Sequence, residues 1–341
     1  MSSYENILRE RGKTLLIVEG KHEKDVLFRC ILKCFPELQI DEDNIWIYKT
    51  NIYALYDNIT NEYGDDWVAN EDDIDLPYVI SKRLAKDPLY YKDDFTNIFL
   101  IFDYERHDPR YSITKIEDME RMFNDSTDMG KLYLNYPMIE SYLHLKSLPD
   151  NEYAERKIPI TMQPGFEYKN VVKDETKIAF LFEFPHKIDD YLKQNLSVSD
   201  SEKRKYCIDK ILNNKTQHEI DFYENIFKDI LDEANLQNFK YRCKVWTENI
   251  GYLAVHKTYW NYVRDILKQI IYHNICKAHR IQYDIYNIGS DEYRQCFESI
   301  DLTEILHKQN IVSSDTENGF IWVLNTCIFL VADYNFTMIM N

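Results

Sequence analysis

The first strong pattern along the chain is a five-residue apolar run, Thr14-Leu15-Leu16-Ile17-Val18, closed by Glu19-Gly20. A short, partly β-branched run of this kind predicts a buried strand. From His22 the spacing changes: Leu27, Phe28, Ile31, Leu32 and Phe35 fall on one helical face, and Pro36 stops the helix. Asn44–Lys49 predicts a second strand, Asn97–Phe102 a third that runs straight into Asp103, and Lys131–Asn135 a fourth. Helices are expected near Ile52–Tyr63, Val79–Ala85 and Ile113–Phe123, and another starting at Pro137. Strands and helices that alternate in this way imply a parallel sheet wrapped by helices.

The pattern changes after Leu148-Pro149-Asp150. Residues 151–175 read as irregular, with Pro159 and Pro164-Gly165. Helical spacing then returns over Ile178–Phe182, Ile188–Gln194, Ser201–Asn213, His218–Ala234, Tyr252–Ala278 and Asp291–Leu306. The expected organisation is an α/β unit over residues 1–150, with an insertion at about 50–95, followed by a mostly helical unit over 151–341, for binding substrate or partner or for oligomerisation. No internal repeat or low-complexity segment interrupts it.

Charge adds a second layer. The 341 residues carry a net charge of −17, which argues against a surface coated for nucleic acid. The distribution is uneven. Asp41–Asp75 holds eleven acids and one base, whereas Lys240–Arg280 holds eight Lys/Arg against Glu248 and Asp265. A polyanion is therefore expected to meet the second half, plus a metal site in the first. Seven cysteines without a CxxC pair point to reduced thiols, with Cys30 and Cys34 in the core. Met1–Arg11 is polar, and the most apolar stretch, Ile321–Ala332, is about half of a bilayer span, so the expectation is a cytoplasmic protein with no membrane partner.

The candidate chemistry is acidic. Glu19 follows the first strand and Asp103 the third, at the carboxyl edge of the sheet, where crevices between strand ends form sites. Glu105, at i+2 in an extended strand end, points the same way as Asp103. A single acid after a strand is more often a cap; two after two strands, with a third at i+2, point to a cation. Oxygen ligands suit Mg²⁺, with Mn²⁺ an alternative. Asp108 is a candidate fourth carboxylate or a turn residue before Pro109; Glu140 is a candidate ligand or a first-turn acid of a helix. Lys21 and His22 at a helix start could hold phosphate, with Glu23 beside them, and Arg106 and His107 flank Asp103. Lys240, Arg242 and Lys244 interleave with aromatics, as nucleic-acid surfaces do, although most nearby rings have core spacing.

Val18-Glu19-Gly20-Lys21-His22-Glu23 resembles the first motif of the TOPRIM family, and Phe102-Asp103-Tyr104-Glu105 resembles its second, usually Asp-x-Asp. The resemblance covers about residues 13–146. Tyr136–Tyr142 is similar to a segment of TOPRIM effectors in anti-phage defence, of the PARIS, OLD-like or RloB-like kinds. The resemblance implies that Glu19, Asp103 and Glu105 hold magnesium in a nuclease acting on DNA or RNA, tRNA included. It also implies a toxic effector governed by a partner ATPase in trans, since no G-x-x-x-x-G-K-[ST] loop is present. Homodimerisation stays open. The alternatives are a non-catalytic TOPRIM-like interaction or sensor subunit, or a primase- or topoisomerase-related protein. Glu105 departs from the family, being one methylene longer than Asp.

Overall fold

A computed structural model describes residues 13–69, 74–213, 225–227, 230–249, 257–286, 289 and 292–340. It is an α/β structure with a mixed, mostly parallel central sheet of six strands. β1 (Thr14–Val18) lies between β2 (Ile45–Ile47) and β3 (Asn97–Asp103), and β3 pairs in turn with β5 (Gly130–Tyr136). These three pairings are all parallel. β4 (Asn124–Asp125) and β8 (Leu324–Asn325) both pair antiparallel with β5. The parallel strands are buried on both faces, which is why they read as unbroken apolar runs rather than alternating ones. A separate two-stranded ribbon joins β6 (Lys157–Pro159) to β7 (Phe320–Trp322).

The helix after β1, α1, starts with a π-helical stretch over Glu23–Phe28 and continues as an α-helix over Arg29–Cys34. Cys30 and Cys34 are buried, as expected from their spacing. α2 (Ile52–Tyr63), α3 (Leu76–Arg83) and α4 (Ile113–Met122) lie where the apolar periodicity placed helices. Their starts are capped by Asn51, Asp75 and Ser112, whose side chains accept from backbone N–H groups of the first turn.

Three expectations are corrected. The helix expected from Pro137 is only a 3₁₀ turn, Ile139–Leu143; all five of its residues are buried, which leaves no solvent face for an amphipathic helix. Residues 151–175 are not irregular: they hold β6 and α5 (Phe166–Glu175). α5 buries just Tyr168 and Val172, and Phe166 is exposed, so its apolar stripe is too thin to stand out. The two segments around Pro185 form one helix, α6 (Ile178–Gln194). α7 (Ser201–Leu212), α8 (Glu233–Asn249) and α9 (Tyr259–Tyr283) follow, then α10 (Tyr293–Glu298) and α11 (Leu302–Val312). The expected helix His218–Ala234 and the start of Tyr252–Ala278 lie largely outside the described residues. No described helix is long and apolar enough to cross a membrane.

The division at 150 is crossed by the C-terminal segment. β8 extends the sheet beside β5, and the Thr326 hydroxyl donates to the Leu134 carbonyl at 2.7 Å. The Asn325 amide donates to the Ile139 carbonyl at 3.0 Å and to Ser141 Oγ at 3.2 Å. Lys131 pairs with Asp333 at 2.6 Å. Ile321–Ala332, the most apolar stretch of the chain, is thus core that completes the first unit. Removing the Asn325 amide leaves buried partners unsatisfied, a cost of about 1–3 kcal/mol. Asn325→Ala is therefore expected to lower stability by that amount, read from the urea midpoint, while the unfolding transition stays single; separate transitions for the two halves would count against this integration.

Candidate metal centre

Sheet register brings the acids together. Val18 pairs with Ile101, and the ladder continues one step further, with the Glu19 N–H donating to the Ile101 carbonyl at 3.1 Å. This places Glu19 beside the end of β3. There the Asp103 N–H donates to Glu19 Oε2 at 3.2 Å. Tyr104, fully buried, anchors the turn that follows: its hydroxyl donates to Asn310 Oδ1 at 2.7 Å, and its N–H donates to the Asn135 carbonyl at 3.0 Å. Glu105 does not continue the extended strand assumed for an i+2 alignment. Its φ is +47°, a left-handed conformation uncommon outside glycine, asparagine and aspartate. That turn still returns its carboxylate to the site. One carboxylate oxygen each from Glu19, Asp103 and Glu105 lies within 4.8 Å of the other two.

Two further acids sit at the edge of this cluster. Glu23, in the π-helical stretch of α1, is buried, and its Oε2 has no hydrogen-bond partner. A Cβ on Gly20 would stand 2.9 Å from that oxygen, so the backbone can pass here only as glycine unless Glu23 moves. Glu140, in the 3₁₀ turn, is buried with Oε2 unpartnered, while its Oε1 receives Lys169 of α5 at 2.8 Å and faces His22 at 3.8 Å.

The electrostatics follow from packing like charges out of water. Burial, then Glu105, pushes the Glu19 carboxyl up to about 8. Burial, then Glu19, holds Asp103 well above the carboxylate range. Burial followed by Asp108 raises Glu105, and burial raises Glu23. All the donors are hard oxygens and two buried ones lack a partner, so the cluster could hold a divalent cation of the Mg²⁺ or Mn²⁺ kind, with Glu19, Asp103 and Glu105 as its nearest donors.

The other sequence candidates fall elsewhere. Asp108 is not in the cluster; Arg110 holds it, with Nε at 3.1 Å, and its carboxyl is lowered chiefly by that bond. Arg106 stacks 4.1 Å over the Tyr111 ring and donates to the Ser313 carbonyl at 3.2 Å. His107 contacts the Ile160 carbonyl through Nε2. Both of these side chains, close after Asp103 in sequence, therefore tie the turn to the rest of the fold. Lys21 is exposed and pairs with Asp25 at 3.7 Å. Lys240, Arg242 and Lys244 ride on α8, which buries Leu236, Phe239 and Cys243 and sets Trp246 edge-to-face against Tyr191 of α6. Lys169 is the site residue that sequence reasoning missed. It lies in the stretch read as irregular, and no motif surrounds it.

The fold and site define an α/β protein with a cluster of acidic side chains where neighbouring parallel strands end. No protein-family model matches the chain, and neither a curated protein nor a solved structure shows significant similarity to it.

The raised carboxyls have a consequence for stability. The folded chain keeps a proton on Glu19 up to about pH 8, whereas an unfolded glutamate releases it near 4.5. Between these values the folded state binds more protons, so stability falls as pH rises through the window. In EDTA, Glu19→Gln is expected to be more stable than wild type at the upper end of that window and to lose this advantage at the lower end, read as urea midpoints. A variant equally placed at both ends would show that Glu19 is not the titrating group.

Proposed function

We propose that this chain is a Mg²⁺-dependent nuclease that hydrolyses phosphodiester bonds of DNA or RNA. The observation that carries the reading is the convergence of Glu19, Asp103 and Glu105 within 4.8 Å at the carboxyl edge of the sheet. The resemblance of Val18–Glu23 and Phe102–Glu105 to the two TOPRIM motifs supports the same residues for the same work. A cation bound there would polarise a phosphodiester and lower the pKa of an attacking water.

The chain's own residues set the conditions. Glu19, Asp103 and Glu105 would hold a cation only once deprotonated, so its binding would compete with protons and strengthen with pH toward about 8 for Glu19. Glu23 and Glu140 carry buried unpartnered oxygens that could accept hydrogen bonds from groups bound at the cluster. Lys169, held by Glu140 at 2.8 Å, keeps an ammonium beside the acids, where it can face a phosphate oxygen. The defence-effector resemblance extends the proposal to a toxic activity governed by an ATPase in trans.

Purified chain with Mg²⁺ is expected to degrade plasmid, single-stranded DNA or tRNA, with no cleavage in EDTA. Asp103→Asn should reduce the rate by roughly a hundred-fold or more, as loss of a metal ligand does. The rate should also climb with pH up to about 8. Mn²⁺ binding followed by paramagnetic resonance should weaken in parallel. Mn²⁺ binding equal in wild type and Asp103→Asn would sink the site assignment. Nucleic acid bound but never cleaved, with the partner present, would favour a non-catalytic subunit.

A further inference from the structure

A second site lies on the far side of α1. A pocket of about 240 Å³ opens between α1, the start of α7 and the segment before β2, lined by Lys24, Asp25, Arg29, Lys33, Glu42 and Lys205. Its charges are not equivalent. Asp25 is answered by Lys21 at 3.7 Å. Lys24 spends its ammonium on the carbonyls of Glu42 at 2.9 Å and Ile45 at 3.0 Å. Arg29, Lys33 and Lys205 are exposed, and no hydrogen bond or ion pair engages them among the described residues. Glu42 is the acid left to face them.

This arrangement works against the fold. Arg29 and Lys33 stand four residues apart on one helix, a like-charge spacing that destabilises it, and Lys205 of α7 brings a third cation to the same pocket. The chain has 58 acidic residues and 41 Lys/Arg, so partners for three cations are abundant. The pocket continues into a wider groove between α1 and α6–α7, which also shares Asp25, Arg29, Lys33 and Lys205. In that groove Arg204 is paired with Asp189 at 2.7 Å, while Glu202 and Asp209 bound its outer part. The unpaired positive charge is therefore concentrated at the α1 end.

We propose that this pocket docks a backbone phosphate of the nucleic acid whose scissile bond lies at the acidic cluster. The proposal rests on the nuclease reading of that cluster and adds where the rest of the strand runs. α1 provides the geometry. It starts just after Glu19, and Arg29 and Lys33 lie ten and fourteen residues further on. At ~1.5 Å per residue that is roughly 15–20 Å. With ~3.4 Å per nucleotide along a duplex strand, the docked phosphate lies about four to six nucleotides from the bond that is cut. Three cations converging on one pocket match the dispersed charge of a phosphodiester, and they position the strand without reading its bases. The strong negative charge elsewhere would push a polyanion away from other paths.

The test uses the full chain in EDTA, so that binding is read without cleavage. Anisotropy of a short labelled DNA or RNA strand is followed against salt for wild type and for Arg29→Ala/Lys33→Ala/Lys205→Ala. A control variant replaces Arg121, Lys177 and Arg294, three exposed cations elsewhere, with alanine, so that the same amount of charge is removed. The pocket variant is expected to bind about ten-fold more weakly near physiological salt, with the slope of log K against log salt smaller by about one for each phosphate that is no longer neutralised. The control should stay near wild type, and circular dichroism should show both variants folded. Equal affinity and slope in the pocket variant and wild type would overturn the proposal while leaving the metal centre standing. Loss of binding in the pocket variant together with absent cleavage by wild type would keep the docking site and sink the nuclease reading. A thermal shift with inorganic phosphate that vanishes in the pocket variant, without any change in strand binding, would assign the pocket to a small phosphorylated ligand and overturn the backbone assignment.

Discussion

Five carboxylates crowded where β1 and β3 end are the constraint around which the rest of the molecule is arranged. Burial raises the proton affinity of Glu19, Asp103, Glu105 and Glu23, and neighbouring carboxylates add to the effect. Moving an ionised carboxylate out of water costs several kcal/mol, whereas an ordinary hydrogen bond returns about 1 kcal/mol. Hydrogen bonds within the cluster, such as Asp103 N–H to Glu19 Oε2, cannot offset that. The arrangement persists because the parallel ladder of β1, β3 and β5 holds the strand ends in place, and protons or a cation must supply the missing positive charge.

The scaffold around the acids comes from distant parts of the chain. Tyr104, between two of the acids, is held by Asn310 and Ser313 of the α11 region. Arg106 also reaches Ser313, and His107 reaches Ile160. Lys169 comes from α5. Side chains next to the second acidic motif thus each use one polar atom, Arg106 Nη2 and His107 Nε2, to tie the turn to distant backbone. This suits a site in which Glu105 must hold a left-handed backbone, a conformation that lasts only where the surroundings over-determine it.

Aromatic abundance has a structural explanation as well. Of the tyrosines, Tyr48, Tyr53, Tyr104, Tyr133, Tyr136 and Tyr142 are fully buried in or beside the sheet. Trp246 meets Tyr191 edge-to-face, and Tyr259 packs with Phe184, so these two rings of the basic stretch help hold α6, α8 and α9 together. Arg29 and Lys33 of α1 and Lys205 of α7 form a separate group of exposed cations around one pocket. Exposed cations thus occur on helices of both halves of the chain.

The four main strands, the helices between them and the pairing of Glu19 with Asp103 were legible in the sequence, because a doubly buried parallel strand and an amphipathic helix leave unmistakable local patterns. Local pattern ends where a residue's role depends on what packs against it from elsewhere. Asp108 and Glu140 look alike in sequence, yet one is taken by Arg110 and the other reaches the edge of the acidic cluster. Lys169 carries no motif, and Ile321–Ala332 shows its hydrophobicity but not that it completes the sheet at β5. Those outcomes belong to the tertiary structure, because contacts between residues up to about two hundred positions apart are set by the register of the sheet and the packing of its faces, which no short window of sequence contains.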